Sequence, residues 1–201
     1  MGWKVAAGSA AARAHLGIAT PLVGYLAGDG VERVVEVGGL AAPLLEAELV
    51  ARLGADVDPG ATAEAVAAAV GGVSAGVEIA DVDPAIVAAG VEEIVASNVF
   101  HAARVDGSHE VDLAELDLAR LRTRIDVAGS TVADAVGADA LGGSVTDLLA
   151  QAADVLALAG ERLRAGDRVY LGSLVPPVPI AARAEILVRV GPFPPFRLRT
   201  S

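Results

Sequence analysis

Cysteine is absent from the chain, lysine occurs once, and aromatic residues make up only 3% of its 201 residues. Without cysteine there is no disulfide framework, no thiolate nucleophile and no cysteine zinc site. Because aromatic side chains are so few, the 54% hydrophobic content is largely small aliphatic side chains. Twenty-six acidic residues against fifteen basic ones give a net charge of −11, which argues against binding to nucleic-acid backbones or anionic membranes.

No apolar run reaches the roughly 20 uninterrupted residues that a membrane-spanning helix needs, since glycine, proline or charge breaks each one. The N-terminal residues form no apolar segment typical of a signal peptide. We therefore expect a single-domain protein, residues 1–201, that resides in the cytoplasm.

Hydrophobic periodicity, caps and turn residues predict a mixture of short strands and helices without a regular βαβ rhythm. The predicted strands cover 2–7, 31–37, segments around Glu46 and Glu78, 100–105, 116–127, 131–136, 168–173 and 186–190. The predicted helices run from the Ser9 cap to 16, over 61–70 with Gly71-Gly72 as the stop, from Asp83-Pro84 toward 97–98, and over 145–164. Prolines 176, 177 and 179 are expected to prevent regular strand pairing between the last two strands. The expected fold is α+β, with a mixed β-roll or barrel core and flanking helices.

Two glutamates stand out in the otherwise apolar segment from Leu44 to Val50. Strand side chains alternate between faces, so Glu46 and Glu48 share one face, about 7 Å apart. A third glutamate, Glu78, interrupts a later apolar strand. Carboxylates on half-buried strands are costly unless they are paired or bind a metal, so these three predict a divalent-metal site. Oxygen ligands alone favour Mg²⁺ or Mn²⁺, and the alternative is a solvated acidic edge.

The single lysine, Lys4, lies on the apolar first strand between Trp3 and Val5. A lone lysine among fourteen arginines hints at a specific role, although a side chain reaching out to solvent is the simpler interpretation. The three histidines have no metal-ligand spacing, and His101 is retained as a weaker pocket candidate.

The order of motifs along the chain resembles the 2-keto-4-pentenoate hydratase and 4-oxalocrotonate decarboxylase branch of the fumarylacetoacetate hydrolase superfamily. The matching segments are Gly2-Trp3-Lys4-Val5, Ser9, Leu16-Gly17-Ile18, Pro21 through Leu26, the Glu46/Glu48 strand, Glu78-Ile79-Ala80-Asp81, Ser97-Asn98, Ala138 to Gly142, Leu163 to Asp167, and Gly172-Ser173-Leu174 with the prolines that follow.

This resemblance implies specific roles for the matching positions. It implies Mg²⁺ or Mn²⁺ on Glu46, Glu48 and Glu78. It also implies a β-roll fold and a small 2-oxo acid substrate. An oligomeric assembly is expected because a core of small residues without a covering segment would expose apolar surface. The remaining roles that the resemblance implies are catalytic for Lys4, Asp81 and Asn98, and substrate-binding for Ser9, Leu26, Gly172, Ser173 and Leu174.

The chain also departs from the branch. The N-terminal helical segment of the family is not found, Val82-Asp83-Pro84 replaces a Ser-Arg pair, and Ser97 replaces an aspartate. The leading hypothesis is a metal-dependent hydratase-like lyase acting on a 2-oxo or 2-hydroxydienoate acid. The alternatives are a non-catalytic partner subunit of a paralogous enzyme, and a decarboxylase or cyclase repurposed for a related keto acid.

Overall fold

The computed structural model describes residues 2–28, 30 and 33–201, and it has an α+β fold of curled half-barrel sheet with flanking helices. The strands are β1 Gly2–Ala6, β2 Leu22–Tyr25, β3 Val34–Val35, β4 Pro43–Leu53, β5 Val70–Asp81, β6 His101–Asp106, β7 Arg122–Val127, β8 Ser130–Val136, β9 Arg168–Ser173, β10 Val178–Pro179, β11 Glu185–Val190 and β12 Phe196–Thr200. The α-helices are α1 Ala10–Leu16, α2 Ala63–Ala69, α3 Pro84–Ala89, α4 Val91–Ala96 and α5 Val145–Leu158.

The larger sheet has the strand order β2-β1-β9-β4-β5-β6, and the two-residue β10 pairs with the N-terminal end of β4. Its centre is the long antiparallel pair of β4 and β5, which places Glu46 directly opposite Glu78. A second sheet of five strands has the order β3-β12-β11-β7-β8. Chain-distant strands meet in both sheets, so the fold depends on long-range pairing rather than on sequential hairpins alone.

The two faces of the β4/β5 pair differ in chemistry. Leu45, Ala47 and Leu49 are fully buried on one face and join the main hydrophobic core. The intervening positions place Glu46 and Glu48 on the other face. The period-two pattern of β4 therefore separates a dry aliphatic core from a polar face, as the sequence predicts.

Helix α5 packs against the main core through six buried residues: Val145, Leu148, Leu149, Ala152, Ala153 and Leu156. Ser144 caps it by accepting a hydrogen bond from the backbone N–H of Asp147. By length and composition alone, the stretch Asp139–Leu158 could cross a membrane, with a mean hydropathy of 1.2. Core helices of globular proteins meet the same criterion, so this stretch is weak evidence for a membrane span.

Several predicted boundaries were wrong. Helix α5 ends at Leu158 instead of near 164, and Gly71-Gly72 lies inside β5 because the chain turns directly from α2 into the strand. The helix predicted from Asp83-Pro84 is two short helices, because Gly90 has a φ of 115° and interrupts it.

The strand predictions also need correction. One short 3₁₀ turn, Leu118–Arg120, occupies the first part of predicted strand 116–127, and the strand itself is Arg122–Val127. Within predicted strand 31–37, residues 31 and 32 lie outside the described residues and Val34–Val35 form a strand. Despite its flanking prolines, Val178–Pro179 pairs with β4, and the final strand Phe196–Thr200 was not predicted.

Candidate metal centre

Three carboxylates converge on the polar face of the larger sheet. Glu46, Glu48 and Glu78 each offer one oxygen, and these oxygens lie within 4.8 Å of one another. Glu48 and Glu78 are 1% and 0% exposed, and Glu46 is half-buried. Ligand oxygens at this separation suit a single divalent cation held by oxygen donors.

A backbone contact fixes Glu48. Its Oε2 accepts a hydrogen bond of 2.7 Å from the backbone N–H of Gly172 on β9. Gly172 has a φ of 100°, a conformation that glycine adopts without steric cost, and the β4/β9 register shifts between Glu48 and Val50. The irregularity in β9 therefore turns a backbone donor toward the carboxylate.

Glu78 is held by two side chains at one of its two oxygens. Lys4 Nζ lies 2.6 Å from Glu78 Oε1, and His101 Nδ1 lies 2.7 Å from the same oxygen. The other oxygen, Oε2, is buried and has no hydrogen-bond partner. An unsatisfied buried carboxylate oxygen is costly, so Glu78 is oriented with Oε2 free to bind a cation.

The loop before β6 supplies a further contact to Lys4. Asn98, Val99 and Phe100 have positive φ values of 56°, 53° and 65°, an arrangement that costs free energy for residues other than glycine. The Asn98 side chain offsets part of this cost, because it accepts a hydrogen bond from the backbone N–H of Tyr25 and donates one to its carbonyl. The resulting turn directs the Val99 carbonyl to Lys4 Nζ, at 2.9 Å.

The electrostatics of the cluster follow from burial and proximity. Burial, together with the charge of Glu78, raises the pKa of Glu46 to about 7. Burial, Glu78 and Glu46 raise the pKa of Glu48 well above its ordinary value. Burial alone would lower the pKa of Lys4 and raise that of Glu78, but their mutual attraction raises the pKa of Lys4 and, with His101, lowers that of Glu78.

Three residues that were not predicted as site residues share this face of the sheet. Arg104 lies directly opposite Glu78 on β6, and its Nε is buried without a hydrogen bond. The Tyr170 hydroxyl donates a 2.6 Å hydrogen bond to Asp106 Oδ1. Arg104 alternates with buried Val105 in sequence, a pattern that could have marked it as facing away from the core.

The other predicted site residues lie around the cluster in different settings. Ser9 caps α1, and the carboxylate of Asp81 accepts hydrogen bonds from the backbone N–H groups of residues 41 and 42. Leu26 packs with Val50 and Tyr170, Ser173 donates to the Val175 carbonyl, and Leu174 is buried in the main core. Their catalytic and substrate-binding roles stay predictions.

Comparison with known proteins places this geometry in a family. No protein-family model matches the chain. It is, however, 31% identical over 195 residues to 4-oxalocrotonate decarboxylase from Pseudomonas putida, with 94% of this chain and 73% of that protein covered. The chain belongs to the hydratase and decarboxylase branch of the fumarylacetoacetate hydrolase superfamily.

Other members of this branch agree in sequence and in fold. 2-Hydroxyhexa-2,4-dienoate hydratase from Comamonas testosteroni is 30% identical over 188 residues, covering 90% of this chain and 71% of that protein. The solved 4-oxalocrotonate decarboxylase from Pseudomonas putida G7, complexed with calcium and acetate, superposes with a TM-score of 0.88 at 29% identity. That superposition covers 100% of this chain and 77% of the solved one. The family and fold inferred from the order of motifs are thus confirmed.

Proposed function

We propose that this chain is a divalent-metal-dependent, hydratase-like lyase for a small 2-oxo or 2-hydroxydienoate acid. The observation that carries the proposal is the convergence of Glu46, Glu48 and Glu78 beside a buried lysine. Membership of a branch that contains both a decarboxylase and a hydratase supports this chemistry. We further propose that it acts in the cytoplasm, as a homo-oligomer or together with a paralogous subunit.

The residues present fit Mg²⁺ or Mn²⁺. Three carboxylates and Lys4 carry a summed charge of −2 when all are ionised, which a divalent cation neutralises. Every candidate ligand is an oxygen, as Mg²⁺ and Mn²⁺ prefer, and the buried Glu78 Oε2 lacks any other partner. The Pseudomonas putida G7 decarboxylase has also been solved with magnesium and adipate. When bound, such an ion would polarise the 2-oxygen of the substrate as a Lewis acid.

The protein contributes fixed charge and orientation. Lys4 is held on one side by Glu78 and on the other by the Val99 carbonyl, so its ammonium group cannot swing away. In the proposed reaction it donates a hydrogen bond to the substrate carboxylate and stabilises the negative charge that develops on the adjacent oxygen. Asn98 acts as a positioning residue, because its side chain holds the turn that presents Val99 to Lys4.

Hydration and decarboxylation make the same electrostatic demand, since both pass through an electron-rich enolate next to a carboxylate. Hydration adds water across the conjugated double bond, whereas decarboxylation breaks a C–C bond and releases CO₂. We favour hydration as the leading activity and retain decarboxylation or cyclisation of a related keto acid as the alternative. Product analysis distinguishes these reactions directly.

The test combines metal binding with turnover. Calorimetry with Mn²⁺ is expected to show one site per chain. Removing a hydrogen-bond partner of a metal ligand lowers metal affinity about 10- to 100-fold. The Glu46→Gln/Glu48→Gln variant removes two ligands, so its Mn²⁺ affinity should fall further than that. The matched control is Glu92→Gln/Glu93→Gln, which removes two exposed carboxylates of α4 and should bind Mn²⁺ as the parent does.

Turnover is measured with a 2-hydroxydienoate acid by its ultraviolet absorbance, with CO₂ release recorded in parallel. Metal-dependent loss of the dienoate is the expected result. Absence of Mn²⁺ binding, or equal binding by parent and Glu46→Gln/Glu48→Gln protein, contradicts the metal centre. Metal binding without turnover by the purified chain, but with turnover when a full-length homologue is added, favours the partner-subunit alternative instead.

A further inference from the structure

The outer face of the five-stranded sheet concentrates positive charge in an otherwise acidic protein. Five arginines line an open groove of about 700 Å³ on this face: Arg33, Arg124, Arg189, Arg197 and Arg199. Two acidic residues, Asp126 and Glu185, also line it. The groove therefore carries a charge of +3, while the rest of the chain carries −14.

The acidic residues of the groove do not satisfy all of its arginines. Asp126 alone accepts hydrogen bonds from both Arg124 and Arg189, at 2.9 and 2.5 Å. Glu185 contacts Arg199 at 3.1 Å, with both side chains 73% exposed. Within the described part of the chain, neither the Arg33 nor the Arg197 guanidinium group forms a hydrogen bond or an ion pair. Two guanidinium groups of the groove thus lack a counter-charge.

The strand register places two arginines opposite each other. Arg189 on β11 lies directly opposite Arg124 on β7, and like charges in opposing positions destabilise a sheet. On the other side of β11, Arg197 of β12 lies opposite Leu187, so its guanidinium group is not engaged by an acid across the strand. Asp126 bridges Arg124 and Arg189, so an anion bound on this face would supply the counter-charge that Arg33 and Arg197 lack.

We propose that this groove, defined by Arg33, Arg124, Arg189, Arg197 and Arg199, binds a small molecule with two or more carboxylate or phosphoryl groups. Guanidinium groups bind the oxygens of both anions through two parallel N–H donors. Strands β7 and β12 are two inter-strand spacings apart, so the anionic groups of the ligand can be up to about 10 Å apart. A neutral or singly charged molecule would leave at least one of the Arg33 and Arg197 guanidinium groups without a counter-charge.

This groove and the metal centre lie on different sheets and carry opposite charges. The carboxylate cluster lies on the seven-stranded sheet, whereas the groove residues lie on β7, β11 and β12 of the other sheet and on the segment next to β3. None of the three clustered glutamates lines the groove. The groove is thus a second site, and binding there does not require the activity of the proposed lyase.

Calorimetry tests the proposal with two probes of different anionic group, inorganic pyrophosphate and tricarballylate, on protein freed of metal with EDTA. At least one probe is expected to bind with a Kd below about 1 mM at low salt, and more weakly at higher ionic strength. Arg197→Gln and Arg33→Gln should each weaken binding about tenfold or more, because each removes a charge-assisted hydrogen bond. Neither arginine has an internal partner, so both variants should fold as the parent does.

Two controls complete the design. Arg162→Gln removes an exposed arginine outside the groove, and Glu46→Gln/Glu48→Gln disables the proposed metal centre; both should bind the probes as the parent does. Preference for pyrophosphate identifies a phosphoryl ligand, and preference for tricarballylate identifies a carboxylate ligand. No binding of either probe at about 10 mM, or equal losses in Arg162→Gln and Arg197→Gln, overturns the proposal. It is also overturned if sedimentation shows that the parent self-associates through this face, with Arg197→Gln dissociating and no probe binding.

Discussion

Lys4 and Glu78 form a buried ion pair across two intervening strands, with Nζ 2.6 Å from Oε1. The two residues are 3% and 0% exposed, so neither charge is solvated by bulk water. The attraction between the two charges offsets the free-energy cost of burying each of them.

Removing the lysine charge should destabilise the protein strongly. Lys4→Met leaves Glu78 buried without its cation, and we expect a loss of about 3–5 kcal/mol in the free energy of unfolding. Glu78→Gln should also destabilise, whereas the double variant Lys4→Met/Glu78→Gln should lose less than the sum of the two. Urea unfolding of the four proteins without metal measures this coupling. Strict additivity would show that the two charges do not stabilise each other.

The stability of the metal-free protein should fall as pH rises from about 4.5 to about 7. The pKa of Glu46 is raised to about 7 from the ordinary value of 4.5, and that of Glu48 is raised too. In this interval the folded state binds more protons than the unfolded state, so unfolding becomes easier with increasing pH. The shift of Glu46 corresponds to a change on the order of 3 kcal/mol.

The lowered pKa of Glu78 acts in the opposite direction but in another range. Its contribution is complete above the ordinary carboxyl pKa and is lost only as pH falls further, so it does not cancel the trend between pH 4.5 and 7. Thermal unfolding across this interval measures the slope. Glu46→Gln should flatten it, and a parent profile that rises with pH would contradict the assigned burial of these carboxylates.

Metal should reverse the destabilisation that the clustered carboxylates cause. At a Mn²⁺ concentration of about 100 times its Kd, binding adds about 2.7 kcal/mol, which raises the Tm by roughly 5–10 °C for a chain of this size. At a fixed Mn²⁺ concentration the increase should be larger at pH 8 than at pH 6, since ligand carboxylates must be ionised and the Kd is lower at pH 8. Differential scanning calorimetry with and without EDTA provides the measurement. An identical increase in Glu46→Gln/Glu48→Gln would assign the metal to another site.

His101 should tune metal binding without serving as a ligand. Its Nδ1 contacts Glu78 Oε1 at 2.7 Å and helps to leave Oε2 free. His101→Phe should lower Mn²⁺ affinity about 10- to 100-fold, the usual effect of removing a hydrogen bond to a metal ligand. His15→Phe, at an exposed position of α1, is the matched control. Unchanged affinity in His101→Phe would mean that Lys4 alone orients the carboxylate.

A side chain at Gly172 should lower both the stability of the fold and the affinity for metal. Its φ of 100° is strained for alanine, and its N–H holds Glu48 Oε2 at 2.7 Å. Gly172→Ala is expected to cost about 1–3 kcal/mol of stability and to weaken Mn²⁺ binding. Gly39→Ala, where an added Cβ meets no atom within 4 Å, should change neither quantity. Chemical unfolding and calorimetry of both variants test this pair of outcomes.

Sequence alternation within a single strand was enough to predict the part of the site that lies on that strand. Alternation in β4 put Glu46 and Glu48 on one face, and the structure confirms that arrangement. The meeting of Lys4 with Glu78 depends on strand order in the sheet, which no local pattern encodes. The contact of His101 with Glu78 was not predicted for the same reason, because it depends on the left-handed turn that precedes β6.

The missed final strand has a different cause. Residues Phe196 to Thr200 alternate between buried and exposed positions as a half-buried strand does, but prolines at 192, 194 and 195 precede them. Proline-rich sequence normally ends regular structure, and here the chain resumes pairing with β11 directly after it. Pairing with the preceding strand β11 and with the chain-distant β3 therefore overrides the local breaking signal.

The strict alternation along β4 also protects the fold from errors of assembly. If β4 slipped by one residue during folding, Glu46 and Glu48 would enter the aliphatic core and Leu45, Ala47 and Leu49 would leave it. Burying carboxylates without partners costs several kcal/mol each, so the misaligned pairing is much less stable than the native one. The glutamates that we propose bind metal thus also favour the native register of the two central strands.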